Sequence, residues 1–164
     1  MESKVRYGQE HGKNLIKIAK KLISNQNLCK LLVNTDLDPL NPKLHGEVDG
    51  MSLLHNNIKV VPYVDGMNQS SESKITIIYD NGVIGANPDN ETIHLIIGVY
   101  CPFDNWFITG DTLRPFAIMA EIRKSLEGVR INGLGEISYE DFSLTILSEE
   151  VGGYRLGFYI NAFS

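Results

Sequence analysis

The chain has 164 residues, of which 43% are hydrophobic and 21% are charged, and its formal net charge at pH 7 is −5. This length suits one continuous core, so we expect a single domain over 1–164. The composition is ordinary for a soluble globular protein. The acidic balance argues against general nucleic-acid affinity across the surface, but it leaves room for a local basic stripe.

The first predicted element is an amphipathic helix over 14–24, followed by a short helical piece over 27–32. Four lysines fall on one face of the first helix: Lys13, Lys17, Lys20 and Lys21. A solvated face is the simpler interpretation of these lysines. The functional alternative is contact with an acidic protein surface or with passing DNA, through phosphates only and without sequence specificity.

A proline-rich connection follows over 34–50, because each proline disfavours helical geometry in the residue before it. The run Ile58–Tyr63 predicts a short strand. Pro62 cannot donate to a ladder, which favours a sheet edge or a strand end. The polar run Asp65–Ser73 predicts a loop.

Two strands come next, Lys74–Tyr79 and Thr92–Cys101, joined by a long hairpin over Asp80–Asn90. Alternation in the second strand predicts one buried face, formed by Ile93, Leu95, Ile97, Val99 and Cys101. The hairpin tip, Gly82–Asn90, is a candidate for reaching a neighbouring subunit.

A second main helix begins near residue 112. Asp111 or Thr112 is the predicted N-cap, Pro115 fits the first turn, and Gly128 is the predicted stop. The predicted buried stripe consists of Leu113, Phe116, Ile118, Met119, Ile122 and Leu126.

After a predicted turn over Asn132–Gly135, two strands close the chain, Ser143–Leu147 and Tyr154–Ile160, with a hairpin between them. The order helix, three strands, helix, two strands predicts an α+β fold. Its mainly antiparallel sheet of about five strands is covered on one face by two helices.

We predict no catalytic, cofactor-binding or metal-binding residues. The four histidines lack metal-ligand spacing, and the glycines lack the pattern of a phosphate loop. The two cysteines are interpreted as free thiols, with Cys101 in the core. The rival hypothesis is a small hydrolase that uses His45, Asp49 and Cys101.

Trp106 and Arg114 lie where the strand over 92–101 passes into the second main helix. Trp106 either anchors an interface or packs the sheet against the helix. Arg114 is expected to bind a carboxylate nearby or on a neighbouring subunit.

The chain resembles the neck and tail-completion proteins of long-tailed bacteriophages, and among them the tail terminators. The resemblance lies in Asn25–Leu40 and, more strongly, in Ile97–Ile122, where an apolar strand leads through an aromatic to a helix opening near Arg-Pro. Leu53–Val64 is a weaker middle element.

The resemblance implies a non-enzymatic virion protein, made in the host cytoplasm, that forms a ring at the head–tail junction. Such rings are commonly hexamers, and they cap the tail tube and offer a docking face to head-completion proteins. The expected partners are other copies of the chain, the tail tube protein, head-completion proteins and DNA passing through the lumen, with no membrane. Another structural role in the particle, as a head-side adaptor or a tube subunit, stays open.

Overall fold

The computed structural model describes residues 2–62, 71–86, 90–131 and 134–163, with side chains over 10–62, 71–86, 90–131 and 134–161. The helices are α1 (Glu2–Ile23), α2 (Gln26–Val33) and α3 (Arg114–Leu126), with short 3-10 turns at Gly50–Leu53 and Phe103–Asn105. The strands are β1 (Ile58–Lys59), β2 (Lys74–Ile84), β3 (Asn90–Pro102), β4 (Phe107–Ile108), β5 (Thr112–Leu113), β6 (Leu134–Ile146) and β7 (Val151–Phe163).

Five of the strands form one sheet in the order β1-β2-β3-β7-β6. β1 runs parallel to β2, and every other pair in this sheet is antiparallel. β4 and β5 form a separate two-stranded ladder. The predicted α+β fold and its mainly antiparallel five-stranded sheet are confirmed.

The core lies between one face of the sheet and the three helices. The predicted face of β3 is buried in full: Ile93, Leu95, Ile97, Val99 and Cys101 are at most 1% exposed. From α3 the core receives Ile118, Met119, Ile122 and Leu126. Phe116 departs from the predicted stripe, because its side chain is 38% exposed at the margin of the helical layer.

The start of α3 differs from the prediction. Thr112 and Leu113 belong to β5, where Leu113 pairs with Phe107, and Leu113 is the N-cap residue without a side-chain hydrogen bond. The predicted caps, Asp111 and Thr112, are therefore wrong, because the ladder of β5 continues through Leu113 and the first helical residue is Arg114. Pro115 does lie in the first turn.

The end of α3 agrees with the sequence. The helix finishes at Leu126, and Gly128 follows with a φ of 74°. This left-handed backbone conformation favours glycine, as the predicted stop requires.

Several other boundaries differ, among them the end of β2, at Ile84 rather than Tyr79, and the start of β7, at Val151 rather than Tyr154. α1 begins at Glu2 rather than at residue 14, and β1 ends at Lys59 rather than at Tyr63. Tyr63 lies outside the described residues, as do residues 65–70 of the predicted loop. β6 begins at Leu134 rather than at Ser143, because register shifts at 134/137 and 139/141 interrupt the alternation that identifies a strand. Residues 132–133 of the predicted turn are also outside the described part.

Within the described residues, no helix has both the length and the apolar character that crossing a membrane requires.

Candidate interaction surfaces

Trp106 packs the joint between β3 and α3. The residue is half-buried, and its Nε1 donates to the carbonyl oxygen of Cys101 at 3.1 Å. Its ring centroid lies 5.3 Å from that of Phe103 and 6.2 Å from that of Tyr154. These contacts match the packing interpretation of Trp106, and a contact with another subunit stays a prediction.

Arg114 is a buried cation that binds main-chain oxygens. Its side chain is 1% exposed. The guanidinium donates to four carbonyl oxygens, those of Asn105 (2.8 Å), Leu31 (2.8 Å), Asn34 (2.6 Å) and Asp36 (2.6 Å). The expectation that Arg114 binds a carboxylate nearby or on a neighbour is therefore wrong. Its burial also takes it away from the surface, where a neighbouring subunit would make contact.

Cys101 is a core thiol, as predicted. The residue is 0% exposed, and burial raises its pKa to about 12, although Ser73 and Arg114 oppose the shift. A thiol with that pKa carries almost no thiolate at neutral pH, and the thiolate is the nucleophile. This environment argues against a hydrolase that uses Cys101.

The other two residues of the rival hydrolase have partners of their own. His45 Nε2 lies 2.8 Å from Asp36 Oδ2. The Asp49 side chain accepts from the Met51 amide at 3.1 Å, which caps the 3-10 turn at Gly50–Leu53. The described residues also contain no group of three or more His, Cys, Asp or Glu side chains that could hold a metal ion.

The lysine face of α1 points to solvent. Lys13, Lys20 and Lys21 are exposed and Lys17 is half-buried. Lys13 Nζ lies 3.3 Å from Glu10 Oε1, in an exposed pair of a kind that contributes little to stability. Contact of this face with an acidic partner remains a prediction.

An apolar strip runs along β6, at one edge of the sheet. It consists of Phe142, Leu144 and Ile146, which are 51%, 59% and 57% exposed. We call these three residues the β6 strip. It lies on the face of the sheet that the helices cover, but α3 leaves these three side chains exposed.

Two aromatic residues border the β6 strip. The Phe116 ring lies 4.7 Å from Tyr154, and the Phe142 ring lies 5.7 Å from Tyr154, centroid to centroid. The strip therefore continues into a partly exposed aromatic cluster. The sequence predicts a strand here, but it does not predict that the apolar face of this strand stays open.

A second open segment lies at the opposite edge, in the end of β2. We call Asn81–Ile84 the β2 tip; within it, Val83 is 63% and Ile84 is 67% exposed. Among the described residues, β1 pairs with β2 at Ile75 and Thr76 alone. The β2 tip belongs to the hairpin that the sequence suggests as a neighbour contact, of which residues 87–89 lie outside the described part.

A polar cluster on the uncovered face links the two outer long strands. His94 Nδ1 lies 3.1 Å from Asp80 Oδ2 on β2, and His94 Nε2 lies 3.0 Å from Glu140 Oε2 on β6. Gly157 stands between them on β7, where a Cβ would come within 3.1 Å of His94 Nε2. Glu140 also raises the pKa of the exposed Tyr159, through its charge and a hydrogen bond.

A comparison with known proteins identifies one family whose model matches this chain. The model of the YomW family matches residues 25–160, from the N-cap of α2 to near the end of β7. No curated protein matches the chain.

Proposed function

This chain belongs to the YomW family, and we propose that it is a structural assembly protein that forms a ring at the head–tail junction of a phage. The family carries the name of a Bacillus phage-derived gene, which associates the chain with bacteriophage. The ring and its position are the proposal.

The proposed mechanism is steric. Copies of the chain form a ring, which we propose to be a hexamer, and this ring binds the last ring of the tail tube. It covers the surface to which the next tube ring would bind. The opposite face of the ring then binds head-completion proteins, and DNA passes through the lumen without sequence-specific contacts. The protein is made in the host cytoplasm and stays in the virion.

The observation that carries this proposal is the pair of open apolar segments at opposite edges of one sheet. A ring of identical subunits needs two unlike patches on each copy, because every contact joins one patch to the other. The β6 strip and the β2 tip supply two such patches on a small domain. The exposed lysine face of α1 is a further surface for an acidic partner, such as the tube end.

The chemistry of the described residues also favours an assembly role over the rival hydrolase. Cys101 is fully buried with a raised pKa, and His45 and Asp49 are each held by a different local partner. A nucleophile needs access to substrate and a base within hydrogen-bond reach.

Deletion of the gene from the phage tests the function, with tails measured by electron microscopy. Loss of a tail terminator should give tails longer than those of the wild type and variable in length. Normal-length tails that fail to join heads would contradict tube capping and would instead indicate a head-side adaptor. Absence of tails altogether would indicate a tube subunit.

A further inference from the structure

We propose that copies of this chain join head to tail, with the β6 strip edge of one copy pairing with the β2 tip edge of the next. This pairing is the contact between neighbouring copies in the proposed ring. Only the closure of the copies into a ring rests on the proposed function. The occupant of each open edge is therefore a second copy of the same chain.

Within the part of the chain that the structure describes, both edges have unpaired backbone along these segments. Beyond Ile137, β6 has β7 as its only partner among the described residues. β2 beyond Thr76 has β3 as its only partner within the same described part. Unpaired N–H and C=O groups along an edge are a template for another strand.

The strand directions allow head-to-tail pairing. β2, β3, β7 and β6 are antiparallel in turn, so the two outer long strands run in opposite directions. A cyclic symmetry axis around which the strands are tilted gives every copy the same strand polarity. β6 of one copy then lies antiparallel to β2 of the next, and the ladder pattern continues through every junction.

Two covered segments fix where the pairing can occur. β1 covers β2 at Ile75–Thr76, and residues 128–130 run alongside β6 at Glu136–Ile137. Through the sheet register, Leu144 lies level with Ile75, whereas Gly82 lies level with Ile137. The open segments are thus at diagonally opposite corners of the sheet.

Neighbouring copies must consequently be offset along the strand direction. The offset is about seven residues, or roughly 23 Å at the rise of a β-strand. An offset of this kind between neighbouring sheets is what tilted strands in a closed barrel require. A barrel with four long strands from each copy follows from the same pairing.

The chemistry of the two segments suits burial against each other. Neither 81–86 nor 142–147 contains a charged residue or a proline, so pairing brings no like charges together. Edge strands that remain solvated usually carry such protective residues. The register places Ile84 on the helix-covered face of the sheet and Val83 on the opposite face. Pairing would therefore bury Ile84 against the neighbour's β6 strip.

Pairing of β6 with β6 of a second copy is the alternative geometry. It would give a two-fold dimer that closes on itself and leaves the β2 tip open. The head-to-tail contact uses both open segments. A change in the β2 tip should therefore block head-to-tail assembly, whereas it should leave a two-fold dimer through β6 intact.

The test uses the full chain with one lysine on either edge, Leu144→Lys or Ile84→Lys, and Leu44→Lys as the matched control. Leu44 is 61% exposed, close to the 59% of Leu144 and the 67% of Ile84, and it lies on neither edge. Circular dichroism and thermal midpoints verify that the three variants fold alike. Native mass spectrometry then measures the assemblies of each variant alone and of the two edge variants mixed.

We expect the wild type and Leu44→Lys to form one discrete oligomer and each edge variant alone to be monomeric. The two edge variants mixed should give one-to-one dimers and nothing larger, because each keeps one intact edge. An oligomer that survives Ile84→Lys would overturn the proposal, as would a wild-type chain that stays monomeric at its solubility limit.

The two proposals can fail separately. Edge-dependent assembly combined with normal tail lengths in the deleted phage would retain the contact and contradict the tube-capping function. Overlong tails combined with an oligomer insensitive to both lysines would retain the function and contradict the contact.

Discussion

Arg114 closes the C-terminal end of α2, where its Nη1 donates to the carbonyl oxygen of Leu31 at 2.8 Å. The last carbonyls of a helix have no partner within the helix. The same guanidinium also binds the carbonyls of Asn34, Asp36 and Asn105. One buried side chain thus ties α2, the connection after it and the start of α3 together.

Replacement of Arg114 by methionine should lower the free energy of unfolding by about 4 kcal/mol, because it leaves buried carbonyls without donors. Arg114→Lys should cost less, since an ammonium group offers three donors. Urea denaturation measures both. Arg130→Met is the control, as Arg130 is 77% exposed and 3.9 Å from its nearest carboxylate, and it should cost under about 0.5 kcal/mol. Equal losses at positions 114 and 130 would show that Arg114 has no such role.

Both thiols should be inert in the folded chain. Cys29 and Cys101 are 0% exposed, and burial raises the pKa of each. A disulfide reagent at pH 8 should therefore react slowly with the native chain and rapidly, at both positions, after denaturation. Labelling of native Cys101 at the denatured rate would revive the hydrolase hypothesis. Single Cys29→Ser and Cys101→Ser variants assign the signal.

Stability should fall at alkaline pH. The Cys101 pKa is about 12 in the folded chain against 9.0 ordinarily, so its contribution is present below pH 9 and is lost between pH 9 and 12. Burial, and then the charge of Glu91, also raises the pKa of Tyr79. Denaturation midpoints should show the wild type losing about 1 kcal/mol more than Cys101→Ala between pH 9 and 10. An identical pH slope in the two proteins would be inconsistent with a buried neutral thiol.

Two glycines of β7 should differ sharply in their tolerance of alanine. A Cβ at Gly153 would lie within 2.8 Å of the Val99 carbonyl carbon on β3, and backbone must move to relieve it. At Gly157 the nearest atom is a carboxylate oxygen of Asp141, at 2.5 Å, which can rotate away. We expect Gly153→Ala to cost about 3 kcal/mol and Gly157→Ala about 1 kcal/mol, measured by urea denaturation. The reverse order would contradict the register of β3 with β7.

Patterns local in sequence predict much of the fold. The alternation in β3 identifies its buried face because one side of the sheet is covered by helices. The end of α3 is predicted by Gly128, which adopts the left-handed backbone that glycine favours. Boundaries fail where tertiary pairing intervenes, as at Thr112 in β5 and at the register shifts of β6.

The candidate surfaces depend on contacts that no local pattern contains. Arg114 binds carbonyls 78 to 83 positions earlier in the chain, so its partners cannot be read from its neighbours. The β6 strip looks like a core pattern, and its exposure is set by where α3 begins above the sheet, at Phe116 beside Phe142. The lysine face of α1 is the one surface that helical spacing alone predicts.

The most direct test of tube capping is the length of tail tubes polymerised in vitro from the tube protein of the same phage. With wild-type chain present, mean tube length should fall as the ratio of chain to tube protein rises. Leu144→Lys, which blocks the ring contact, should leave the tubes as long as those grown alone. Tubes that grow equally long with and without the wild-type chain would contradict the proposed capping of the tail.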